Sequence, residues 1–283
     1  MNLLKRFFLS AFLILFSVSL SAAKLSDREQ KELKGSVKEF IKIAYIIESK
    51  FGQSEKRKDY KDVYIYDQIG NQLEYIGYNA DGGMEFRDIY TYENGKKIEY
   101  AGYGAEGTLD FKDFYKYDSQ GNTIEYIGYD ASGQMEFREA SAYDQSGNEI
   151  ERIRYKADGS IDYKDVYKYD QNGKKIEYTG YDGNGYFEFN WKYEYGGNGN
   201  KIRATYNDES GSIIETWLYQ YTPQGFLTSV KIYNDKNDEI ESWIYENDAQ
   251  GNKIKEEKYK TGEKFGKVVK ELFEYSEYEY VYW

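Results

Sequence analysis

Hydrophobic and polar residues alternate along most of the chain in short segments that are separated by glycine-containing turns. One turn of each unit contains Gly121, Gly147, Gly173 or Gly199, and the other, twelve residues later, contains Gly133, Gly159, Gly185 or Gly211. An alternation of period two, bounded by turn residues, is typical of β-hairpins. The pattern predicts 26-residue units of two strands each, and an all-β antiparallel meander that forms an extended, twisted or coiled sheet.

The repeat covers most of the sequence. Seven clear units run over residues 66–246, and an eighth, from Asn247, decays into a charged tail. The segment Lys58–Asp67 repeats Ile161–Asp170 almost unchanged, so a degenerate first unit begins earlier. We therefore predict that the repeat array spans residues 42–283.

The turn chemistry predicts a strand register. In the Tyr-Asp-x-x-Gly-Asn turns the aspartate can accept hydrogen bonds from turn amides, and the glycine supplies a positive φ. If residues 130–133 form a four-residue loop, Tyr126 faces Phe137 and Glu125 faces Arg138. The same register pairs Glu74 with Arg87, Glu99 with Lys112 and Glu151 with Lys164, and sets Gly77, Gly102 and Gly128 against Met84, Leu109 and Met135. These charge matches favour that register.

The first 23 residues have the layout of a secretory signal peptide. Lys5 and Arg6 precede an apolar run from Phe7 to Leu20, and small residues end the segment at Ala23. This predicts an exported bacterial-type protein, in the periplasm, at the cell surface or outside the cell, without a membrane span after cleavage. An uncleaved membrane anchor is the alternative.

Residues 24–41, which precede the array, do not show the repeat pattern. Ser26 and Glu29 have the spacing of a capping box. The apolar residues that follow share one helical face: Leu33, Val37, Phe40, Ile41 and Ala44. We expect a helix over residues 27–41 that covers the open end of the sheet.

Composition excludes several function classes. The chain has no His and no Cys, so it lacks the usual nucleophile pairs and the usual zinc ligands, and we predict no catalytic residue, metal or cofactor. Removal of residues 1–23 takes away Lys5 and Arg6 but no acidic residue, which changes the formal net charge from −12 to −14. Such an acidic domain is unsuited to nucleic acid. It must also fold without disulfides.

The Tyr-Asp-x-x-Gly-Asn turns, each followed by a second Asp-x-Gly turn, resemble the YD repeats of the RHS family. The matching dipeptides are Tyr66-Asp67, Tyr117-Asp118, Tyr143-Asp144 and Tyr169-Asp170, and the resemblance covers residues 60–252. It implies an extended, coiling β-sheet that can close into a shell or serve as an adhesive stalk. The unit here is longer than the usual YD repeat, and no toxin-like domain follows it.

One position of the repeat is a candidate binding site. Trp191, Trp217 and Trp243 occupy it in three successive units, and earlier units place carboxylates there: Asp62, Asp88, Asp113, Glu139 and Asp165. Two interpretations compete. This face is either the interior of a coiled sheet, where tyrosine hydroxyls bond to the acids, or an open face on which saccharide rings stack. The tentative ligand-binding residues are Trp191, Trp217, Trp243, Asp88, Asp113 and Asp165.

The sequence thus favours a non-enzymatic, exported interaction module that binds a polysaccharide or another surface protein. A structural shell or spacer is the first alternative, and a glycoside hydrolase is the second. The recurring glutamates Glu74, Glu99, Glu125, Glu151 and Glu177 could supply acid and base, but their repetition opposite cations favours surface ion pairs. Charged residues beside Trp283 argue against an outer-membrane barrel.

Overall fold

The computed structural model describes residues 26–50, 53–264 and 266–283. The predicted signal peptide, residues 1–23, lies outside the described residues. The described residues are all-β, with one short helix, as the repeat pattern predicts. The elements are α1 (Asp27–Gln30), β1 (Val37–Lys50), β2 (Gln53–Tyr66), β3 (Gln72–Asn79), β4 (Met84–Glu93), β5 (Lys96–Gly104), β6 (Leu109–Tyr117), β7 (Thr123–Asp130), β8 (Met135–Tyr143), β9 (Glu149–Lys156), β10 (Ile161–Tyr169), β11 (Lys175–Asp182), β12 (Phe187–Tyr195), β13 (Lys201–Asn207), β14 (Ile213–Tyr221), β15 (Leu227–Asn234), β16 (Glu239–Asn247), β17 (Lys253–Lys264) and β18 (Lys267–Tyr282).

The 18 strands form one closed antiparallel barrel in chain order, so the predicted extended, twisted or coiled sheet is wrong. Each strand pairs with its neighbours in sequence, and the ring closes where β1 pairs with β18 as well as with β2. At this seam Lys42 lies opposite Tyr278 and Ala44 opposite Ser276. Closure pairs the backbone groups of what would otherwise be two free sheet edges.

The turns follow the predicted chemistry. In the turn after β7, the carboxylate Oδ1 of Asp130 accepts hydrogen bonds from the backbone N–H of Ser132 and of Gln134, both at 2.9 Å. Gly133 has a φ of +83°, which a residue with a side chain rarely adopts. The other type of turn is equivalent, with Asp118 accepting from the amides of Gln120 and Asn122.

The predicted register is wrong by two residues. Phe137 lies opposite Gly128, and Arg138 lies opposite Ile127, because Tyr129 pairs with Met135 rather than with Gln134 and a bulge at Glu136 adds a second residue. In the same way Gly77 and Gly102 oppose Phe86 and Phe111. The predicted ion pairs nevertheless form, as diagonal contacts: Arg87–Glu74 at 2.8 Å, Lys112–Glu99 at 2.9 Å, Arg138–Glu125 at 3.3 Å and Lys164–Glu151 at 2.5 Å.

The predicted helix over residues 27–41 is also wrong beyond Gln30. The capping box of Ser26 and Glu29 is present, but the helix has only four residues and β1 begins at Val37. Phe40 and Ile41 are neighbours in β1, and their side chains point to opposite faces of the strand. Because both faces carry apolar residues here, the apolar positions also fit the spacing of one helical face. The described strands close into a ring, which leaves no free sheet edge among them for a cap to cover.

Residues 26–36, the N-terminal segment, instead cross one mouth of the barrel. The Asp27 carboxylate accepts a hydrogen bond from the backbone N–H of Gln72 in β3 (3.0 Å) and forms an ion pair with Lys97 in β5 (3.3 Å). The backbone N–H of Lys34 donates to Oδ1 of Asn252, in the turn before β17, at 2.6 Å. The segment thus joins distant parts of the rim.

The two faces of the wall differ in character. In β2, Asp62 and Tyr66 face the lumen and are buried, and Asp88, Asp113 and Asp165 are buried at the position equivalent to Asp62. The opposite face carries the ion pairs described above. Val230, Ile232 and Tyr245 form a small cluster of buried apolar residues on the inner side of β15 and β16.

Candidate functional site

The three predicted tryptophans lie together on the lumenal wall and form a tryptophan ladder (Trp191, Trp217 and Trp243). Equivalent residues two strands apart have backbones about 9–10 Å from each other. The indole centroids are closer, 5.6 Å between Trp191 and Trp217 and 5.1 Å between Trp217 and Trp243. Side chains converge in this way on the concave side of a curved sheet. The ladder is therefore one contiguous aromatic surface inside the barrel.

The indoles are neither free nor fully enclosed. They pack edge to face, with interplanar angles of 84° and 87°, and two of them cover the apolar cluster of Val230 and Ile232. All three remain half-buried. The ring N–H of Trp217 donates to Glu215 at 3.0 Å, so a carboxylate lies beside the aromatic surface. The arrangement combines elements of both predicted readings: structural packing and a partly exposed face.

The predicted acidic positions form a carboxylate arc (Asp62, Asp88, Asp113, Glu139 and Asp165) on the same wall. Asp88 accepts a hydrogen bond from the hydroxyl of Tyr100 at 2.9 Å, and Asp165 accepts from Tyr178 at 3.2 Å. Asp113 accepts from Tyr126, and Glu139 accepts from Tyr163 and from Arg154. The predicted tyrosine–carboxylate bonding is thus present.

Burial changes the protonation of the arc. It raises the pKa of Asp88, Asp113 and Asp165 to about 6, an effect that the tyrosine hydrogen bonds only partly offset. Desolvation disfavours a charged carboxylate.

The structure brings the arc and the ladder together on one lumenal wall. The arc lies on β2–β10, and the ladder lies on β12–β16.

The outer face holds the recurring glutamates. Glu125 pairs with both Lys116 and Arg138, and Glu177 pairs with Lys168 at 2.9 Å. These contacts match the predicted surface ion pairs. Charged pairs also occur on the outside of later strands, such as Glu194–Arg203 at 2.7 Å and Glu246–Lys255 at 2.8 Å.

Sequence reasoning missed the role of the tyrosine that opens each Tyr-Asp turn. The hydroxyl of Tyr117 donates to the carbonyl of Lys97 at 2.6 Å, and Tyr143 donates to that of Thr123 at 2.8 Å. Each acceptor lies at the bulge that begins the neighbouring strand, where the ladder is interrupted. The signal was the constant separation of 20 residues between donor and acceptor, which recurs in later units.

It also missed a lysine ring (Lys97, Lys175, Lys201 and Lys253) beneath the crossed mouth. These residues start β11, β13 and β17 and occupy the second position of β5, and each directly precedes an isoleucine. Each ammonium group lies against a tyrosine ring, at 4.6 Å from Tyr90, 3.9 Å from Tyr167, 4.5 Å from Tyr219 and 4.3 Å from Tyr245. The repeated Lys-Ile dipeptide was the available signal.

Burial lowers the pKa of Lys175 to about 8 and that of Lys201 to about 8.

No group of three or more acidic side chains in the described ranges is placed to hold a metal ion. Among the described residues, no helix has the length and apolar character that a membrane crossing requires.

With this geometry established, the chain can be compared with known proteins. It resembles the crystal structure of a porin-like protein from Bacteroides uniformis, with a TM-score of 0.50 and 12% identity over 88% of this chain and 99% of that one. That likeness concerns the fold alone. No protein-family model and no curated protein matches the sequence.

Two weaker likenesses are to the Tc holotoxin pore of Photorhabdus luminescens and to a DUF1329 family protein from Desulfovibrio piger. The first has a TM-score of 0.30 and 13% identity over 80% of this chain and 14% of that one. The second has a TM-score of 0.22 and 8% identity over 86% and 85%. The resemblance to YD repeats therefore stays a prediction.

Proposed function

We propose that this protein is an exported, non-enzymatic barrel that binds a saccharide in its lumen, against the tryptophan ladder. The observation that carries the proposal is the merging of three indoles from successive repeats into one half-buried aromatic surface. An 18-stranded barrel is wide enough to hold more than its own side chains. A lumenal ligand can therefore reach this surface.

The chemistry of the wall suits a sugar better than a lipid. Sugar rings present C–H groups that pack on aromatic faces and hydroxyls that need hydrogen-bond partners. The ladder supplies the faces, and Glu215 and Glu241 lie beside Trp217 and Trp243 as acceptors. A purely apolar ligand would cover these half-buried carboxylates and offer them no hydrogen-bond donor.

Two further observations support the rest of the proposal. Ion pairs lie on the outer face from β3 to β17, and a lipid-facing wall would not tolerate such charges at the bilayer midplane. A water-filled periplasmic or extracellular location fits this surface. The acids of the arc recur in repeated positions and are engaged by tyrosines, which supports a binding role over catalysis.

The test uses tryptophan fluorescence. Trp283 follows β18, is 52% exposed and lies under Lys38 at 5.0 Å, so its emission should be removed with a Trp283→Phe background. A panel of oligosaccharides is titrated against this protein, and acrylamide quenching is measured with and without each sugar. Binding should shift the emission and protect the ladder from acrylamide.

Trp217→Ala is the decisive variant, because Trp217 contacts both of its neighbours. We expect its saccharide affinity to fall about tenfold, which corresponds to about 1.4 kcal/mol of lost contact. Trp217→Ala is made in the Trp283→Phe background, and the Trp283→Phe protein, whose ladder is intact, is the matched reference. If no oligosaccharide protects the ladder, or if Trp217→Ala binds normally, the proposal is wrong and a structural shell is the better description.

A further inference from the structure

The crossed mouth of the barrel combines opposite charges. Below it lies the lysine ring, in a chain whose formal net charge is −12. Above it lies the N-terminal segment with the carboxylates of Asp27 and Glu32. Within the lumen Lys253 pairs with Glu256 at 3.3 Å, and Glu149 and Asp165 act on Lys175, so Lys97 and Lys201 are the members of the ring on which the segment acts.

The acidic groups of the segment meet lysines on opposite walls. Oδ1 of Asp27 lies 3.3 Å from Nζ of Lys97 in β5. Glu32 acts on Lys201 in β13, where its charge partly offsets the loss of hydration that lowers the pKa of this lysine. Since β5 and β13 are eight strands apart in a ring of 18, one short segment bridges nearly the full width of the mouth.

The attachment of the segment is polar, and it includes Lys31, whose ammonium group lies 3.5 Å from the centre of the Tyr64 ring and whose pKa burial lowers to about 7. Its other contacts include a hydrogen bond of 2.9 Å from the backbone N–H of Arg28 to the carbonyl of Gly70. The backbone N–H and carbonyl of Lys34 also form two hydrogen bonds with the side-chain amide of Asn252. Glu32 is exposed and has a φ of +59°. No residue of the segment belongs to a strand, so the strand pairing of the barrel does not depend on it.

We propose that the lysine ring binds the carboxylate groups of an acidic saccharide, and that Asp27 and Glu32 occupy the ring as internal competitors which this ligand displaces. The inference rests on the proposed saccharide binding and names the class of sugar, a uronic acid oligomer. Each lysine of the ring lies against a tyrosine face, so the mouth offers a cation and a stacking surface together. A uronate residue has both a charge and a ring face, whereas a polyphosphate has only charge.

The experiment is isothermal titration calorimetry of the chain from residue 24. The probes are a short oligogalacturonate, a neutral maltooligosaccharide of equal length, and tripolyphosphate. Glu32→Gln and Asp27→Asn remove the internal competitors, and each should tighten oligogalacturonate binding about threefold, the effect of one partly exposed ion pair. Lys175→Met should weaken it about tenfold, because a buried charged contact is lost.

Lys168→Met is the matched control, since Lys168 is an outer-face lysine paired with Glu177 at 2.9 Å. It should leave oligogalacturonate affinity unchanged. Glu32 is exposed, so Glu32→Gln keeps the test valid even where Asp27→Asn perturbs folding. Displacement is read separately by trypsin, because oligogalacturonate should speed cleavage after Arg28 and Lys31.

The outcomes separate the two proposals. Unchanged affinity in Glu32→Gln and Asp27→Asn, or equal binding of tripolyphosphate, overturns the lysine-ring inference. Loss of oligogalacturonate affinity in Lys175→Met, with faster trypsin cleavage in the parent, supports it. If maltooligosaccharide fails to protect the tryptophan ladder while oligogalacturonate still requires Lys175, the ladder proposal fails and the ring remains.

Discussion

Asp88 offers a test of how burial governs the stability of the barrel. The carboxylate is 6% exposed, and burial raises its pKa from the ordinary 3.8 to about 6. Because the pKa is higher in the folded state than in the unfolded state, the ionised group opposes folding at neutral pH. This cost grows between about pH 4 and pH 6, is constant above that window, and vanishes below it.

The magnitude follows from the shift. A rise of about two pKa units corresponds to about 3 kcal/mol of unfolding free energy. In Asp88→Asn the side-chain oxygen can still accept from Tyr100, but the new N–H group needs an acceptor, which costs about 1 kcal/mol. We therefore expect Asp88→Asn to raise the free energy of unfolding by about 2 kcal/mol at about pH 7.5 and to give no gain below pH 4.

Urea unfolding followed by circular dichroism at several pH values between about 4 and 8 measures this difference. Asp130→Asn is the control of opposite sign, because Ser132 and Gln134 lower the pKa of that exposed carboxylate. The stabilising effect of Asp130 is lost as pH falls. A stability gain in Asp88→Asn that is the same at both ends of the pH range, or a loss at neutral pH, would refute the reasoning.

Three other predictions concern the wall. Gly128→Ala should lower the free energy of unfolding by about 1–3 kcal/mol, since the added Cβ would lie 2.2 Å from the Phe137 ring; an unchanged urea midpoint would contradict this. Tyr117→Phe should lower it by about 1 kcal/mol, as the carbonyl of Lys97 loses its donor, and amide exchange should quicken near that bulge but not at the opposite end of the strand. Deletion of residues 143–168 removes one two-strand unit from a closed ring, so we expect loss of cooperative thermal unfolding, and a shorter barrel that melts sharply would disprove fixed closure.

The local parts of this fold could be predicted because each repeat carries its own information. Turn glycines such as Gly133 and acceptors such as Asp130 interact only with residues a few positions away. The sequence therefore predicted the hairpins and which residues share a face of each strand. The predicted register was wrong because the bulge beside Tyr129 depends on backbone geometry, and no residue in the sequence indicates it. Apolar residues on both faces of β1 also hid this strand, since Val37 and Ile41 fit either a helix or a strand.

Closure could not be predicted, because it depends on twist summed over all strands and on the match between β1 and β18. The ladder of Trp191, Trp217 and Trp243 was found by its period, but its placement on a concave wall required the closed ring. The lysine ring was overlooked because Lys97 and its equivalents appear in sequence as ordinary polar residues at turns. Their tyrosine partners lie on other strands.

The seam between β1 and β18 has a consequence for how the chain reaches its final state. Its pairing joins Val37 to Tyr282, at opposite ends of the described chain, so β18 must be synthesised before the ring can close. Until then the growing sheet carries two unpaired edges that can recruit other chains. Closure is therefore the slow, non-local step of folding, and a chain truncated before β18 is a template for aggregation even though most of its hairpins are intact.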